Sequence, residues 1–251
     1  MSRLLDELLS SIQDAEVSRV LIGLHWTAVV TESPEGASCG LASTLCGPHG
    51  AHGKPDLIRA GDLDDLSGLS LSIMARSENL VRASVGIATI NALLPKNPSN
   101  WVDLNAEEVI ARQGRGKKVV MIGHFPFADR LRERVGDLIV LEQRPQPGDL
   151  PSSLAVEILP KAEVAAITGT SLINHSLEGL LALLPSTALT ILMGPSTPLS
   201  PILFDYGIHI LCGAVVTSIK PVLNMVEQGG NFRQVHRAGV RTVTMAQSDY
   251  N

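Results

Sequence analysis

The residues most suited to chemistry stand directly after short apolar runs. His124, in Gly123-His124-Phe125-Pro126, follows the run Lys118–Ile122. An imidazole at a strand end suits a general acid or base near neutral pH, or a metal ligand. Two hydroxyl-rich loops follow other runs: Thr168-Gly169-Thr170-Ser171, with Asn174 one helical turn further, and Gly194-Pro195-Ser196-Thr197. Free N–H groups and hydroxyls at a helix start favour a carboxylate or phosphate. The plainer reading is that these are N-caps and turn residues. Glu142 ends a further run, nineteen positions after Gly123, a spacing at which dinucleotide-binding sheets hold a ribose hydroxyl. Gly123-His124-Phe125-Pro126-Phe127-Ala128 lacks the second and third glycines of that fingerprint, which argues against a dinucleotide and leaves a nucleoside-sized ligand or a merely solvated acid. Finally, Cys39, Cys46, His49 and His52 form C-x6-C-x2-H-x2-H. Thiolates and imidazoles select zinc, copper(I) or a heavier thiophilic ion, so a transition or heavy metal ion is the one candidate cofactor, and the cofactor is otherwise left open. The spacing matches no standard structural zinc pattern, and Gly47, Pro48, Gly50 and Gly53 equally describe an exposed loop. His175, His209 and His236 are dispersed and read as surface or core residues.

The elements that must position these groups divide near residue 95. Leu4, Leu5, Leu8, Leu9 and Ile12 fall at helical spacing, so the opening segment reads as an amphipathic helix rather than an export signal. Arg19–Leu24 and Trp26–Thr31 read as two adjacent strands, and Ser77 as the cap of a helix through Asn91. Pro95, Asn97, Pro98 and Ser99 have the composition of a linker, which gives expected domains at 1–95 and 96–251. Asn105 and Glu108 then open a capping box, with Gly114 ending that helix. Five apolar runs follow, Lys118–Ile122, Asp137–Leu141, Glu163–Thr168, Ala188–Met193 and Ile208–Cys212, separated mostly by helical spacing. One clear helix is expected over 172–184. Alternation of this kind builds a parallel sheet, whose ligands sit beyond the carboxyl ends of the strands. The segment from Asn231 reads either as a closing strand or as a loose extension.

Composition narrows the function. Across 251 residues, 20 Lys+Arg against 25 Asp+Glu give a net charge of −5, and no basic patch announces nucleic acid. The chain is 45% apolar but only 3% aromatic, as in sheets filled by Val, Ile and Leu. Prolines break the one long uncharged stretch, Gly179–Phe204, so no membrane span is expected. Three cysteines make a disulfide framework improbable and point to a reducing, cytoplasmic setting.

The runs Ile167-Thr168-Gly169-Thr170-Ser171-Leu172-Ile173-Asn174, Gly194-Pro195-Ser196-Thr197-Pro198-Leu199-Ser200-Pro201 and Gly123-His124-Phe125-Pro126-Phe127 resemble the "putative heavy-metal chelation" family of prokaryotic proteins. Gly40-Leu41-Ala42-Ser43-Thr44 and Ser84–Ala92 extend the resemblance over most of the chain. It implies an α/β protein with an enolase-N-terminal-like α+β domain followed by a Rossmann-like domain, and a site in the cleft between them. The leading expectation is a role in heavy-metal handling, with a metal, a chelator or a small anionic ligand in that cleft. His124 would then ligate or carry a proton, Thr170, Ser171 and Asn174 would hold an anionic group, and Ser196 and Thr197 would complete the rim. The second is an enzyme acting on a small polar metabolite, with Glu142 anchoring a nucleoside-type cosubstrate. The third is a structural protein with a vestigial cleft. The expected partners are a metal or small molecule and a second copy in a homodimer.

Overall fold

The computed structural model describes residues 2–47 and 55–250. The opening helix is α1, Arg3–Ser10, capped by Ser2, whose hydroxyl accepts the Leu5 N–H, with Leu4, Leu5 and Leu8 buried. An antiparallel meander follows: β1 (Glu16–Ile22), β2 (Trp26–Ser33) and β3 (Gly36–Ser43). β3 is the strand not foreseen, because Gly36-Ala37-Ser38-Cys39-Gly40 lacks the β-branched residues that favour strands. It nevertheless pairs with β2 residue for residue from Gly36 to Ser43. After α2 (Gly68–Ser72), the long α3 (Leu80–Leu93) crosses this sheet. Its cap is Asn79, whose side chain accepts the Arg82 N–H, and not Ser77, whose hydroxyl accepts the Asn79 N–H one step earlier. Residues Ala83 to Ala92 are all buried, so α3 is covered on every side rather than along one stripe.

The remainder builds the larger sheet. In chain order it comprises α4 (Ala106–Gln113), β4 (Lys118–Ile122), α5 (Ala128–Arg132), β5 (Asp137–Glu142), β6 (Leu150–Pro151), α6 (Ala155–Ile158) and β7 (Val164–Thr168). Then come α7 (Thr170–Ile173), α8 (Leu177–Leu181), β8 (Leu189–Met193), β9 (Ile210–Val216), α9 (Ile219–Glu227), α10 (Phe232–Gly239) and β10 (Val240–Ala246). The strands lie in the order β10-β9-β8-β7-β4-β5-β6, all parallel except β10, which runs antiparallel to β9 along one edge. This is the α/β architecture expected, and the C-terminal segment closes it as a strand. Asn105 caps α4 through the Glu108 N–H, but Glu108 does not reach back. Its carboxylate pairs instead with Arg134 at 2.8 Å. The expected helix over 172–184 is two short helices, because His175 adopts a φ of 58° and the Asn174 side chain accepts from Ser176 N and Oγ. A local side-chain bond of this kind offers the backbone an alternative to the helical ladder.

Alternate residues of the parallel strands enter different cores. Val120, Ile122, Leu141, Ile167 and Leu192 join Leu4, Leu8, Val29, Ile87 and Ile90 in one continuous core, which therefore spans the small sheet, α3 and the large sheet. Val119, Met121, Val140, Ala166 and Ile191 pack on the opposite face with Val109 and Ile110 of α4. The outer face of the meander, through Ala28, Val30, Cys39 and Leu41, is covered by Val222, Val226 and Val235 of α9 and α10. Burial on both faces of a parallel sheet explains the nearly unbroken aliphatic runs.

Among the scattered histidines, His209 has a structural task. Its Nδ1 accepts the Thr190 N–H at 3.0 Å, and burial lowers its affinity for a proton below the ordinary value of 6.5. The neutral ring contributes fully above that value. As pH falls below it, the unfolded chain takes up a proton that the folded ring refuses, so stability is lost down to the lower folded midpoint. His209→Asn, which keeps an acceptor in the same position, should flatten this part of the acid limb when urea midpoints are compared at pH 7.5 and 5.5.

Candidate functional site

β4 and β7 are neighbours, yet the chain leaves β4 toward β5 on one side and leaves β7 toward β8 on the other. A reversal of this kind opens a crevice at the carboxyl ends of the strands, where open α/β sheets hold ligands. A cleft of about 540 Å³ lies there, and residues from the small sheet complete it: Trp26, Ser43 and Leu45 face Gly123, His124, Glu142, Thr168 and Ser196. The two sheets meet at this rim. Ser196 Oγ accepts the Ser43 N–H at 2.9 Å, and Asn91 of α3 donates to the carbonyls of Leu41 at 2.8 Å and Pro195 at 3.4 Å.

His124 sits on the wall, and its orientation is fixed twice. Its backbone N–H donates to Glu142 Oε2 at 2.9 Å, and its ring Nδ1 lies 2.9 Å from Oδ2 and 3.1 Å from Oδ1 of Asp149. The Asp149 side chain is only 1% exposed. It arrives by way of β6, whose pairing with the end of β5 sets Leu150 beside Leu141 and Pro151 beside Glu142. The Gln146 N–H also donates to Asp149 Oδ2 at 3.0 Å. An ionised carboxylate only accepts, so this pairing holds with the proton on His124 Nδ1. The ring's other nitrogen, Nε2, has no protein partner among the described residues. Nothing in the sequence singled out Asp149: it follows Pro145-Gln146-Pro147-Gly148, a turn composition that reads as solvated loop.

Glu142 lines the cleft, but its carboxylate is engaged. Besides the His124 amide, Oε1 accepts the N–H groups of Gln143 at 2.7 Å and Arg144 at 3.1 Å. It therefore acts in the structure as a clamp for its own loop. The loop after β7 differs from expectation in a comparable way. α7 is a single turn, the Gly169 N–H is spent on Met193 O at 2.7 Å, and the Thr170 N–H turns toward Thr168 Oγ1 at 3.3 Å. Thr168 and Thr170, whose hydroxyls bond each other at 3.0 Å, line the cleft with Asn174, while the buried Ser171 donates its hydroxyl to the Thr168 carbonyl at 2.7 Å. Ser196 lines the cleft although it is buried where the two sheets meet, and Thr197, also buried, stands behind Gly169. A Cβ at Gly169 would fall 2.7 Å from Thr197 Oγ1 and 2.8 Å from Thr197 N, so only glycine lets the β7 and β8 loops touch. Gly123 and Gly194 leave β4 and β8 at φ of 96° and 105°.

The Cys/His group is not assembled as a site in the described residues. Cys39 points into the apolar cluster under α9, where burial pushes its thiol up to about 12 and keeps it protonated. A protonated, enclosed thiol is a poor metal ligand. Cys46 is exposed, and His49 and His52 lie outside the described residues. Among those described, no three His, Cys, Asp or Glu side chains stand together as a metal site, and no helix is long and apolar enough to cross a membrane.

Fold and site together define a two-sheet α/β protein with a cleft at the strand ends of a Rossmann-like sheet. Two family models match the chain, DUF364 over residues 105–245 and DUF4213 over residues 5–94, both described as "Putative heavy-metal chelation". The chain belongs to the DUF364 family. An uncharacterised protein of Methanocaldococcus jannaschii is 28% identical over 232 residues, covering 88% of this chain and 87% of that protein. A DUF364 protein of unknown function from Desulfitobacterium hafniense superposes with a TM-score of 0.82 at 27% identity, over 97% of this chain and 98% of that one. A second, from Pyrococcus horikoshii, has the same fold, with a TM-score of 0.82 at 21% identity over 98% and 99%.

Proposed function

We propose that the cleft binds one small organic molecule, uncharged or weakly acidic and of the kind that chelates metals, as this protein's part in heavy-metal handling. The lining carries this reading. Ser43, Thr168, Thr170 and Asn174 stand among Trp26, Phe125, Leu141 and Met193, and neither lysine nor arginine is present among the described residues that line it. An apolar cleft with a few convergent polar groups suits an organic ligand, whereas a polyphosphate would need cations that are absent from this wall. A bare cation would meet one imidazole and one carboxylate already held by three N–H groups. The family description supplies the link to metal.

Native mass spectrometry of protein purified without chelators tests this. The expected spectrum shows an adduct of organic mass, alone or with one metal ion. Thr170→Val preserves shape and removes one hydroxyl, and it should weaken the adduct about fivefold, the worth of one hydrogen bond of about 1 kcal/mol. A bare metal adduct that survives His124→Gln and Thr170→Val would place binding elsewhere and overturn the reading.

A further inference from the structure

The cleft contains one polar pair that ligand binding alone does not require, the imidazole of His124 and the enclosed carboxylate of Asp149. An aspartate side chain that is 1% exposed is costly to bury and is tolerated when paired and hydrogen-bonded. Here it accepts from the imidazole and from the Gln146 N–H, and the ring it holds is the only one of the two partners that lines the cleft. Two other charged groups nearby are committed elsewhere: Glu142 to three amides, and Arg132 to the carbonyls of Leu138 and Gly148. With Nδ1–H directed at Asp149, Nε2 carries a free lone pair and is the one nitrogen base among the described residues that line the cleft.

We propose that His124 Nε2, held by Asp149, takes the proton from a weakly acidic hydroxyl of the molecule in the cleft, so that the molecule binds as its oxyanion. The inference rests on the organic-ligand reading above and names the class: phenols, enols or hydroxamic acids, the hydroxyl compounds that chelate metals. The O–H bond breaks with both electrons left on oxygen, and the proton forms an N–H bond on Nε2. The imidazolium so formed is stabilised by the Asp149 carboxylate, and no other reactant is consumed. Asp149 is a positioning residue, because it acts through the ring. Thr168 and Thr170, across the cleft at the end of the neighbouring strand, share one hydroxyl proton in their mutual bond and leave the other to donate to the new oxyanion. Loss of that proton is the step a hydroxyl chelator must make before its oxygen can take a cation, so the dyad would prepare the molecule for metal.

The probe is catechol, whose phenolate absorbs at longer wavelength than its phenol, used at about pH 8, where the free probe is mostly protonated and an ordinary imidazole is mostly neutral. Saturating wild-type protein is expected to convert the bound probe to its phenolate. Long-range ¹H–¹⁵N spectra of histidine-labelled protein should show Nε2 passing from unprotonated to protonated in the same titration. His124→Gln keeps a donor for Asp149 but has no nitrogen that accepts a proton. It should bind the probe and lose at least tenfold of the phenolate signal. Asp149→Asn should lower the bound phenolate fraction several-fold, and if that variant fails to fold, His124→Gln and the spectra of the wild type still decide. Probe bound as the phenol by the wild type, or phenolate retained by His124→Gln, would overturn the dyad while leaving the cleft reading intact. No binding of the probe would overturn hydroxyl chelators as the class, whereas failure of the cleft reading itself would appear as the absence of any organic adduct in the native mass spectrum.

Discussion

Gly40→Val is expected to destabilise the protein by about 4 kcal/mol and to lower Tm by roughly 10 °C. Gly40 lies in β3 opposite Val29, with α3 pressed directly onto it. A Cβ there would fall 2.0 Å from the Ala88 carbonyl oxygen, 2.3 Å from the Ala92 nitrogen and 2.7 Å from the Asn91 carbonyl carbon. All three are backbone atoms of a helix buried on every side, so no rotamer change relieves the overlap, and α3 must lift from the sheet. The displacement would reach the cleft. Asn91 rides on that turn of α3, and its bonds to Leu41 O and Pro195 O join the two sheets at the rim. Urea unfolding measures the effect, with Ala37→Val on the exposed end of the same strand as a control expected within about 0.5 kcal/mol of wild type. A wild-type midpoint for Gly40→Val would mean that α3 stands further from β3 than the structure places it.

The same glycine shows why the small sheet was only partly legible. The first two strands of the meander announce themselves through Val17, Val20, Val29 and Val30, whereas β3 is Gly36-Ala37-Ser38-Cys39-Gly40, a composition that suits a loop. Its small residues are there because a helix backbone needs the space, which is a demand of packing that propensity does not record. The large sheet was legible because burial on both faces forces aliphatic runs, and the observed strands begin and end within a few residues of those runs. Helix boundaries failed where side chains compete with the backbone, as at Asn174, and the capping box failed where Glu108 found Arg134 in the turn after α5 instead.

In the candidate site, position along the chain was legible and partnership was not. Gly123, His124, Glu142, Thr168, Thr170, Ser171, Asn174 and Ser196 all line the cleft, because the rule that ligands sit at strand ends depends only on recognising strands. What each of them bonds depends on contacts between loops. Asp149 reaches His124 because a two-residue strand pairs with the end of β5, and two residues leave no periodicity to read. Cys39 belongs to a compact Cys/His spacing in the sequence, yet β3 turns its side chain into the core.

Glu142→Gln separates the two roles that this residue can be given. If Glu142 anchors a ribose, the substitution should abolish binding of a nucleoside-like ligand and leave stability unchanged, because an exposed acid at a strand end holds nothing together. The structure leads to the opposite expectation. Oε2 accepts the His124 N–H while Oε1 accepts those of Gln143 and Arg144. A carboxamide has one oxygen, so in either orientation its NH₂ group must face at least one of these donors. The loss should be about 2 kcal/mol, the worth of a hydrogen bond to a charged acceptor, read from urea midpoints. Binding should weaken about tenfold as well, or about 1.4 kcal/mol, because the released amide is that of His124 and the ring moves with it. Stability and binding falling together would identify a clamp that holds the imidazole in place, whereas binding lost at full stability would return Glu142 to the ligand.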